Sequence, residues 1–408
     1  MPKSKIKQLP APRIKIDLKK VNIRHESPSL STPATPRIKI DLKKINIRHE
    51  SPSLSTLATP RIEIDLEKIG HNVRKLKKLY DSKGISITGV TKVICGDPNV
   101  ANTLVKNGIN ILADTRLLNI ERMCRAGVKA KYLMLRTPIP SQAEQVVQYT
   151  EISLNSEISV IESLSKFAVK RGITHKIILM VDLGDLREGV MPKELEDIVM
   201  KVISLEGIKL VGIGTNLACF GGIKPDDSKM QCLSNFADKI EKKFGLKLEF
   251  VSGGNSANYD WFMSTKDVGR INNLRIGESI FLGRETLNRS PIPGLFTNAF
   301  TLVAEVIESK LKPSLPSGEA CQNAFGQIPE FKNRGQIKRV ILGIGLQDVT
   351  LSGLTPKIDI DILGMSSDHI VIDAKQNCLN VGSLVEFNLN YGALLSAMTS
   401  PYILKKYI

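Results

Sequence analysis

A lysine stands at the end of an apolar run in the stretch 85–94, ISITGVTKVI. The run predicts a short buried strand, and the apolar residues Val93 and Ile94 follow Lys92 directly. Lysine is rarely buried alone, because removing its ammonium group from water costs free energy. We therefore expect Lys92 either to reach solvent at the strand end or to have a covalent or electrostatic partner.

A second stretch, SGGNSANYD at 252–260, has the residue types of an anion-binding turn. Gly253 and Gly254 let backbone amides approach an anion closely, Ser256 adds a hydroxyl, and Gly277 offers a further bare amide. By itself, such a turn suits a loop without a ligand equally well. Combined with a lysine, it suits pyridoxal 5′-phosphate (PLP), whose aldehyde needs an amine and whose phosphate needs a cup.

Alternating strands and helices must position these residues. Eight apolar runs recur, and helical patterns separate most of them. The apolar runs lie at 85–91, 110–114, 131–135, 150–154, 176–182, 208–214, 248–252 and 271–275. This alternation predicts parallel βαβ units, and eight units predict an α/β fold with a (β/α)8 TIM-type barrel. Functional side chains of such barrels lie at the carboxyl ends of the strands, so Lys92 and the glycine-rich turn are expected at one mouth.

Polar residues follow several of the other predicted strands. They are Asp182, Asp185 and Arg187 after the fifth run, Asn216 and Cys219 after the sixth, and Arg275, Gly277 and Glu278 at the end of the eighth. The barrel topology predicts that all of them face the same mouth as Lys92.

The strand pattern changes after about residue 295. Later runs lack intervening helices and are typical of antiparallel strands. We therefore predict a barrel over 60–294 and a mainly β C-terminal domain over 295–408. The first strand, 61–65, is a candidate to pair with that C-terminal domain instead.

The N-terminal residues 1–59 form a basic tail. The segments 13–36 and 37–60 are near-identical copies, and each begins like the stretch RIEIDLEKI at 61–69 but ends in Pro, Ser and Thr. This predicts a duplicated and mostly disordered tail. An alternative role is a basic arm for nucleic acid or anionic lipid. The tail carries thirteen Lys or Arg and four Asp or Glu, so it holds more than half of the net charge of +16, and no nucleic-acid partner is expected for the domains.

The composition restricts the class of protein further. Hydrophobic residues make up 42% and charged residues 24% of the chain, as in ordinary globular proteins. No apolar run approaches the roughly 20 residues of a membrane helix, and the N-terminus lacks the apolar region of a secretory signal, so a cytoplasmic location is expected. The six cysteines are scattered without a CxxC pair, which predicts reduced thiols and no metal site.

The chain from about Arg61 to Ile408 resembles the fold-type III PLP enzymes of the alanine racemase superfamily, and most of all their ornithine racemase-type branch. The motifs that carry the resemblance occur in order across both domains; they are RIEIDLEKIGHN, GVTKVICGDP, LADTRLLNIERM, VDLGDLREGV, SGGNSAN, NLRIGESIFLGRE, LGIGLQDV and LNYGALLSAMTSPY. The resemblance implies PLP as cofactor, an amino acid as substrate, and a head-to-tail homodimer in which one subunit's β domain completes its partner's site.

The resemblance also implies roles for individual residues. Lys92 matches the lysine that binds the cofactor aldehyde and then acts as a base on one face of Cα. Arg187 matches the arginine near the phenolic oxygen, and Arg275 matches the arginine that faces the pyridine nitrogen. The phosphate is assigned to Gly254, Asn255, Ser256, Gly277 with its neighbour Glu278, and Tyr391.

Two positions depart from the alanine racemase pattern. Asn216 stands where those enzymes carry a histidine stacked on the cofactor ring. The stretch 342–348, LGIGLQD, lacks the tyrosine that serves them as the base on the opposite face of Cα. Asp348, Cys95 and Cys219 are therefore alternative candidates for the second base.

The identity of Arg275 favours a particular reaction. A guanidinium group stays protonated at working pH and cannot accept the pyridine proton, so the ring withdraws fewer electrons than it does beside an aspartate. This favours reprotonation at Cα over transamination. We therefore expect a PLP-dependent racemase for ornithine, another small or basic amino acid, or alanine. The alternatives are a non-catalytic PLP-binding protein and a PLP-dependent D-amino-acid lyase or aldolase.

Overall fold

The computed structural model describes residues 59–326 and 328–408. The predicted tail therefore lies outside the described residues, apart from Thr59. None of the described helices is long and apolar enough to cross a membrane.

Eight parallel strands close into a barrel in chain order, which confirms the predicted (β/α)8 architecture. The strands are β2 (Ser86–Val90), β3 (Ile111–Asp114), β4 (Lys131–Met134), β5 (Ile152–Asn155), β6 (His175–Met180), β7 (Ile208–Gly214), β8 (Phe250–Ser252) and β9 (Asn273–Ile276). Pairing of β2 with β9, beginning at Ser86 opposite Asn273, closes the ring. Each strand overlaps one of the eight predicted runs, since buried parallel strands leave continuous apolar segments in the sequence.

Helices cover the outside of this barrel. They are α1 (Leu66–Asp81), α2 (Pro98–Lys106), α3 (Leu117–Arg125), α4 (Ala143–Tyr149), α5 (Ile158–Lys170), α6 (Leu195–Ile203), α7 (Asp227–Phe244), α8 (Tyr259–Ser264) and α9 (Glu278–Leu282). Helix α2 shows how the sequence fixes a start: Asp97 accepts from the backbone N–H groups of Asn99 (3.1 Å) and Val100 (3.0 Å), and Pro98 opens the helix. Because this cap fixes the start of α2, the stretch of chain between Lys92 and the helix is short.

The C-terminal part is a mainly antiparallel sheet. Its elements are β10 (Phe300–Pro313), β11 (Gln336–Leu342), β12 (Leu354–Pro356), β13 (Asp361–Met365), β14 (Ile370–Asp373), β15 (Leu384–Leu389), α10 (Tyr391–Thr399) and β16 (Leu404–Tyr407). Strand β1 (Arg61–Ile64) also joins this sheet, because it pairs antiparallel with β10 and parallel with β16. The first strand of the described chain therefore lies outside the barrel.

Apolar packing joins the barrel to the C-terminal sheet. One core cluster contains Ile62 of β1, Val93 beside Lys92, Leu302 of β10 and Ala393 of α10, all of them buried. A second, smaller cluster fills the inside of the barrel. Helix α10 contacts the segment that begins at Lys92. Helix α10 of the C-terminal domain thus packs against the mouth of the barrel.

Candidate active site

Lys92 begins a short 3-10 helix, Lys92–Ile94, directly after strand β2. The segment ends at Cys95, whose φ of +54° lies in the left-handed region. The Lys92 Nζ lies 5.9 Å from the centre of the Tyr391 ring, which belongs to α10. Burial lowers the pKa of Lys92, so its amine loses a proton more readily than that of a lysine in water.

Asp114 supports the start of the Lys92 segment from the end of strand β3. Its carboxylate is fully buried and accepts from Thr91 Oγ1 (2.7 Å), Asn119 Nδ2 (3.0 Å) and the backbone N–H of Arg116 (2.9 Å). Burial raises the pKa of Asp114, while these hydrogen bonds act in the opposite direction. Because Thr91 immediately precedes Lys92, this buried carboxylate fixes where the lysine leaves the strand.

Arg275 is a buried arginine at the end of strand β9. Its Nη1 donates to Ser252 Oγ (2.6 Å), and its Nη2 donates to the carbonyl of Thr215 (2.7 Å) and to Asn216 Oδ1 (3.3 Å). Burial lowers the pKa of Arg275 to about 10, and the nearby Arg187 acts in the same direction. The guanidinium therefore remains protonated near neutral pH, in an orientation set by strands β7 and β8.

Asn216 and Asn255 are held together beside this arginine. Asn255 Nδ2 donates to Asn216 Oδ1 (3.0 Å) and to the carbonyl of Leu217 (2.9 Å). The Asn216 amide oxygen thus accepts hydrogen bonds from both Asn255 and Arg275. Asn216, which stands where alanine racemases carry a histidine, therefore connects the predicted site residues Asn255 and Arg275.

Gly254 and Gly277 lie where other parts of the protein leave no space for a side chain. Gly254 has φ +144°, and a Cβ added there would overlap Asn258 Oδ1. A Cβ at Gly277 would lie 3.1 Å from Val90, tighter than ordinary contact. Ser256 Oγ accepts from the backbone N–H of Ser279 (3.2 Å), which joins the two turns. Side chains at either glycine would thus disturb the two turns, whose predicted role in phosphate binding stays a prediction.

Glu278 and Tyr391 lie near Lys92 and line a cavity of about 910 Å³ between α9 and the C-terminal sheet. Arg289 also lines this cavity and forms an ion pair with Glu278. Burial raises the pKa of Glu278 and holds the pKa of Tyr391 well above its usual range. Tyr391 therefore stays a neutral phenol that can donate a hydrogen bond.

Asp185 fixes the two loops that carry Arg187 and Cys219. Its buried carboxylate accepts from the backbone N–H groups of Cys219 (3.1 Å), Phe220 (3.0 Å) and Gly221 (3.1 Å). Arg187, two residues later, is exposed, and its Nη2 lies 3.6 Å from a Glu188 carboxylate oxygen. Arg187 and Cys219 both lie near Lys92, so the hydrogen bonds of Asp185 hold two loops of the site in place.

The structure separates the three candidates for a second base. Cys219 is exposed and lies near both Lys92 and Tyr391. Cys95 instead faces Asn119 Oδ1, at 3.6 Å, on the outer side of the Lys92 segment. Asp348 is buried within the C-terminal domain, where Ser400 Oγ donates to it at 2.9 Å. Cys219 is the candidate that lies at the mouth within this chain.

Sequence reasoning missed several residues of the site. Asp114 and Asp185 lie within the motifs LADTRLLNIERM and VDLGDLREGV, but the sequence assigns no supporting role to either, because that role comes from hydrogen bonds that form only in the folded chain. Arg136, directly after the run KYLML at 131–135, was missed although reading the end of that strand would have found it. Arg136 Nε and Thr215 Oγ1 are buried without a hydrogen-bond partner among residues 59–326 and 328–408.

Comparison with known proteins agrees with this geometry. The family model for the alanine racemase N-terminal domain matches residues 64–285. A lysine racemase of Thermotoga maritima is 40% identical over 342 residues, which cover 83% of this chain and 96% of that protein. An ornithine racemase of Acetoanaerobium sticklandii is 38% identical over 339 residues, which cover 82% of this chain and 96% of that protein.

Solved structures share the architecture at much lower identity. The alanine racemase of Bartonella henselae, solved with covalently bound pyridoxal phosphate, has a TM-score of 0.65 and 19% identity, and the match covers 86% of this chain and all of that one. At this identity the likeness shows the fold alone. The family match and the two racemases of about 40% identity go further, and they show that this chain belongs to the alanine racemase family.

Proposed function

We propose that this chain is a PLP-dependent amino-acid racemase that acts on a basic amino acid, lysine or ornithine. The observation that carries the proposal is a half-buried lysine with a lowered pKa at the mouth of a barrel whose other strand ends carry the glycine-rich turns and a buried, fixed arginine. The substrate class follows the relatives that are named lysine racemase and ornithine racemase.

The residues at the mouth fit the cofactor. Lys92 would hold the aldehyde carbon, Arg187 the phenolic oxygen, and Arg275 would face the pyridine nitrogen. The phosphate would lie against the backbone of Gly254 and Gly277, two positions that packing against Asn258 and Val90 restricts to glycine. Asn255, Ser256, Glu278 and Tyr391 would border that phosphate, and Asn216 would lie beside the ring. When bound, PLP supplies an electron-withdrawing ring that makes the proton on the substrate Cα acidic.

The chain's own residues move and hold the protons. The Lys92 amine, which burial keeps less basic than usual, would accept the Cα proton on one face for one enantiomer, and its protonated form would donate a proton to that face for the other enantiomer. Arg275 keeps its protons because its pKa stays near 10, so it does not give one to the ring nitrogen. Tyr391 donates a hydrogen bond as a neutral phenol. Cys219 is our candidate for the acid on the opposite face.

The lowered pKa of Lys92 predicts how the rate of cofactor loading depends on pH. Only the neutral amine attacks an aldehyde, so loading of the apo-protein should accelerate as pH rises and level off below the ordinary lysine pKa of about 10.4. Stopped-flow absorbance across a pH series measures this midpoint. The reaction of PLP with an N-acetyl-lysine amide is the control for the cofactor's own titration, and a midpoint equal to that of the free amine would contradict the prediction.

Substituting Gly254 with alanine should weaken cofactor binding. The new Cβ would overlap Asn258 Oδ1, which accepts from the Asn255 backbone N–H (3.0 Å), and a φ of +144° is strained for alanine. We expect the Kd for PLP to rise at least about tenfold, measured by absorbance titration. Gly364→Ala is the control, because its Cβ meets nothing within 4 Å and its φ is ordinary. Equal affinities in the two variants would show that the turn does not hold the phosphate.

We also propose a head-to-tail homodimer, a division into a cofactor-binding barrel over 60–294 and a completing domain over 295–408, and a cytoplasmic location.

Large apolar side chains at the barrel mouth support the dimer. Leu186 is 70% and Phe220 77% exposed, on loops that hydrogen bonds to Asp185 hold together. Burying such side chains against a second subunit is favourable. Sedimentation of the full chain should give a dimer at micromolar concentration, and a monomer would contradict this.

A panel of amino acids tests the proposed activity. Holoenzyme incubated with each L-amino acid, and with ornithine, should make the optical rotation of lysine or ornithine decay to zero with no change in total amino acid. Loss of the amino acid with release of an aldehyde would instead identify the lyase or aldolase alternative. A PLP absorption band without turnover on any substrate would identify the non-catalytic alternative.

A further inference from the structure

A row of buried polar side chains crosses the apolar inside of the barrel and ends at Arg275. Thr88 lies two residues before Val90 on β2, and so it shares the strand face that carries Val90 into the inner apolar cluster. Asn273 lies two residues before Arg275 on β9, and Ser252 ends the neighbouring strand β8. Thr88, Ser252, Asn273 and Arg275 are all buried, so each needs a hydrogen-bond partner within the protein.

These side chains form a continuous series of hydrogen bonds. Arg275 Nη1 donates to Ser252 Oγ (2.6 Å), and Ser252 Oγ donates to Asn273 Oδ1 (2.8 Å). Asn273 Nδ2 in turn donates to Thr88 Oγ1 (3.0 Å) and to Ser86 Oγ (3.2 Å). Asn273 therefore connects the guanidinium, through the end of β8, to two hydroxyl groups of β2.

The chemistry of arginine sets the direction of this series. A guanidinium group has no acceptor, so the Ser252 hydroxyl that accepts from Arg275 must point its own hydrogen elsewhere. Asn273 Oδ1 receives that hydrogen, and the Asn273 amide is held in this orientation because its NH2 group faces two hydroxyl oxygens. A leucine at this position has a similar size but would leave the hydroxyl hydrogen of Ser252 without this acceptor.

We propose that Asn273 is a positioning residue for Arg275 and acts through Ser252. The inference rests on the proposed function, in which Arg275 faces the ring nitrogen of the cofactor. The carbonyl of Thr215 and Asn216 Oδ1 hold only the Nη2 side of the guanidinium. The Ser252 contact holds the Nη1 side, so its loss lets the guanidinium turn about its remaining bonds and removes the fixed direction of its N–H groups.

Binding of two ligands to the cofactor-free protein tests the proposal. The ligands are PLP and the analogue of PLP that has a C–H group in place of the ring nitrogen. The ratio of their Kd values isolates the contact with that nitrogen, and a lower folded fraction does not change it. The unmodified protein should bind the analogue about tenfold more weakly than PLP. Asn273→Leu should reduce this ratio to about twofold, whereas Asn273→Asp keeps an acceptor for Ser252 and should retain it.

Asn272→Leu is the matched control. Asn272 Oδ1 accepts from the backbone N–H of Val251 (2.8 Å), and its Nδ2 donates to the carbonyl of Glu249 (3.1 Å). Its loss therefore breaks a similar number of hydrogen bonds outside the series that reaches Arg275, and it should leave the ratio unchanged.

Ser252→Ala tests whether Asn273 acts through the serine hydroxyl. This variant should lower the ratio to the value found for Asn273→Leu, and combining the two substitutions should lower it no further. If Asn273→Leu does not fold, Asn273→Val replaces it with the same expected ratio, because valine suits a strand.

The inference would be overturned by equal Kd values for the two ligands in the unmodified protein, or by an unchanged ratio in the apolar Asn273 variant. An equal fall in Asn272→Leu, a lost ratio in Asn273→Asp, or a further fall in the double variant would overturn it as well. Failure of the proposed function is distinguishable, because the unmodified protein would then bind neither PLP nor its analogue.

Discussion

Replacing Lys92 with alanine is expected to abolish racemisation, with kcat/KM lowered by at least about 10⁴-fold. The substitution removes both the amine that would hold the cofactor and the base that would take the Cα proton. The side chain is half-buried and has the Tyr391 ring 5.9 Å away, so an amine from outside has little room to replace it. Racemisation of lysine and ornithine, followed by polarimetry, measures the loss.

Covalent labelling separates a lost cofactor bond from general damage. Borohydride reduction of holoenzyme should attach the cofactor to the peptide that contains Lys92 and should leave the Lys92→Ala variant unlabelled. Lys131→Ala is the matched control, because Lys131 is exposed at the amino end of β4, the opposite end of the barrel. Labelling of another lysine in the unmodified protein, or full activity in Lys92→Ala, would exclude the proposed site.

Replacing Arg275 with glutamate is expected to change the outcome of the reaction as well as its rate. A carboxylic acid at this position can share a proton with the cofactor ring nitrogen, whereas the guanidinium, with its pKa near 10, does not give one up. The ring then withdraws more electrons from Cα. Racemisation should fall about 10²- to 10³-fold while the fraction of turnovers that end in transamination rises, as measured by keto-acid formation.

Arg275→Gln provides the comparison for this prediction. It removes the same hydrogen bonds to Ser252 and Thr215 but offers no carboxyl proton, so it should lose racemisation without the same rise in keto acid. Both variants leave buried acceptors without donors, and each should lower the free energy of unfolding by about 1 to 3 kcal/mol. Equal keto-acid formation in the two variants would show that Arg275 does not control the state of the ring.

The sequence was sufficient to predict the barrel and the position of Lys92. Buried parallel strands produce uninterrupted apolar runs, and a lysine at the end of such a run is unusual enough to recognise without any contact information. The cradle of Gly254 and Gly277 was also visible, because only glycine leaves backbone amides bare. Tyr391 was predicted from the family resemblance and not from its residue type.

Other features depend on contacts between distant parts of the chain. The pattern of β1 is that of any strand, and its place beside β10 and β16 follows from antiparallel and parallel pairing across more than 200 residues. The brace formed by Asp185 connects two loops through backbone N–H groups, which every residue possesses and which therefore leave no mark on the sequence.

Local patterns thus determined which elements form and which residue types stand at their ends, since periodicity and backbone preference act over a few residues. Only the tertiary structure decided which polar side chains at those ends have their hydrogen bonds completed by the protein itself. Asp114 and Arg275 have hydrogen-bond partners on neighbouring strands and loops, whereas the buried Nε of Arg136 has none among residues 59–326 and 328–408. The physical reason is that hydrogen-bond satisfaction is a property of three-dimensional neighbours, and residues of the same type differ in it once the barrel closes.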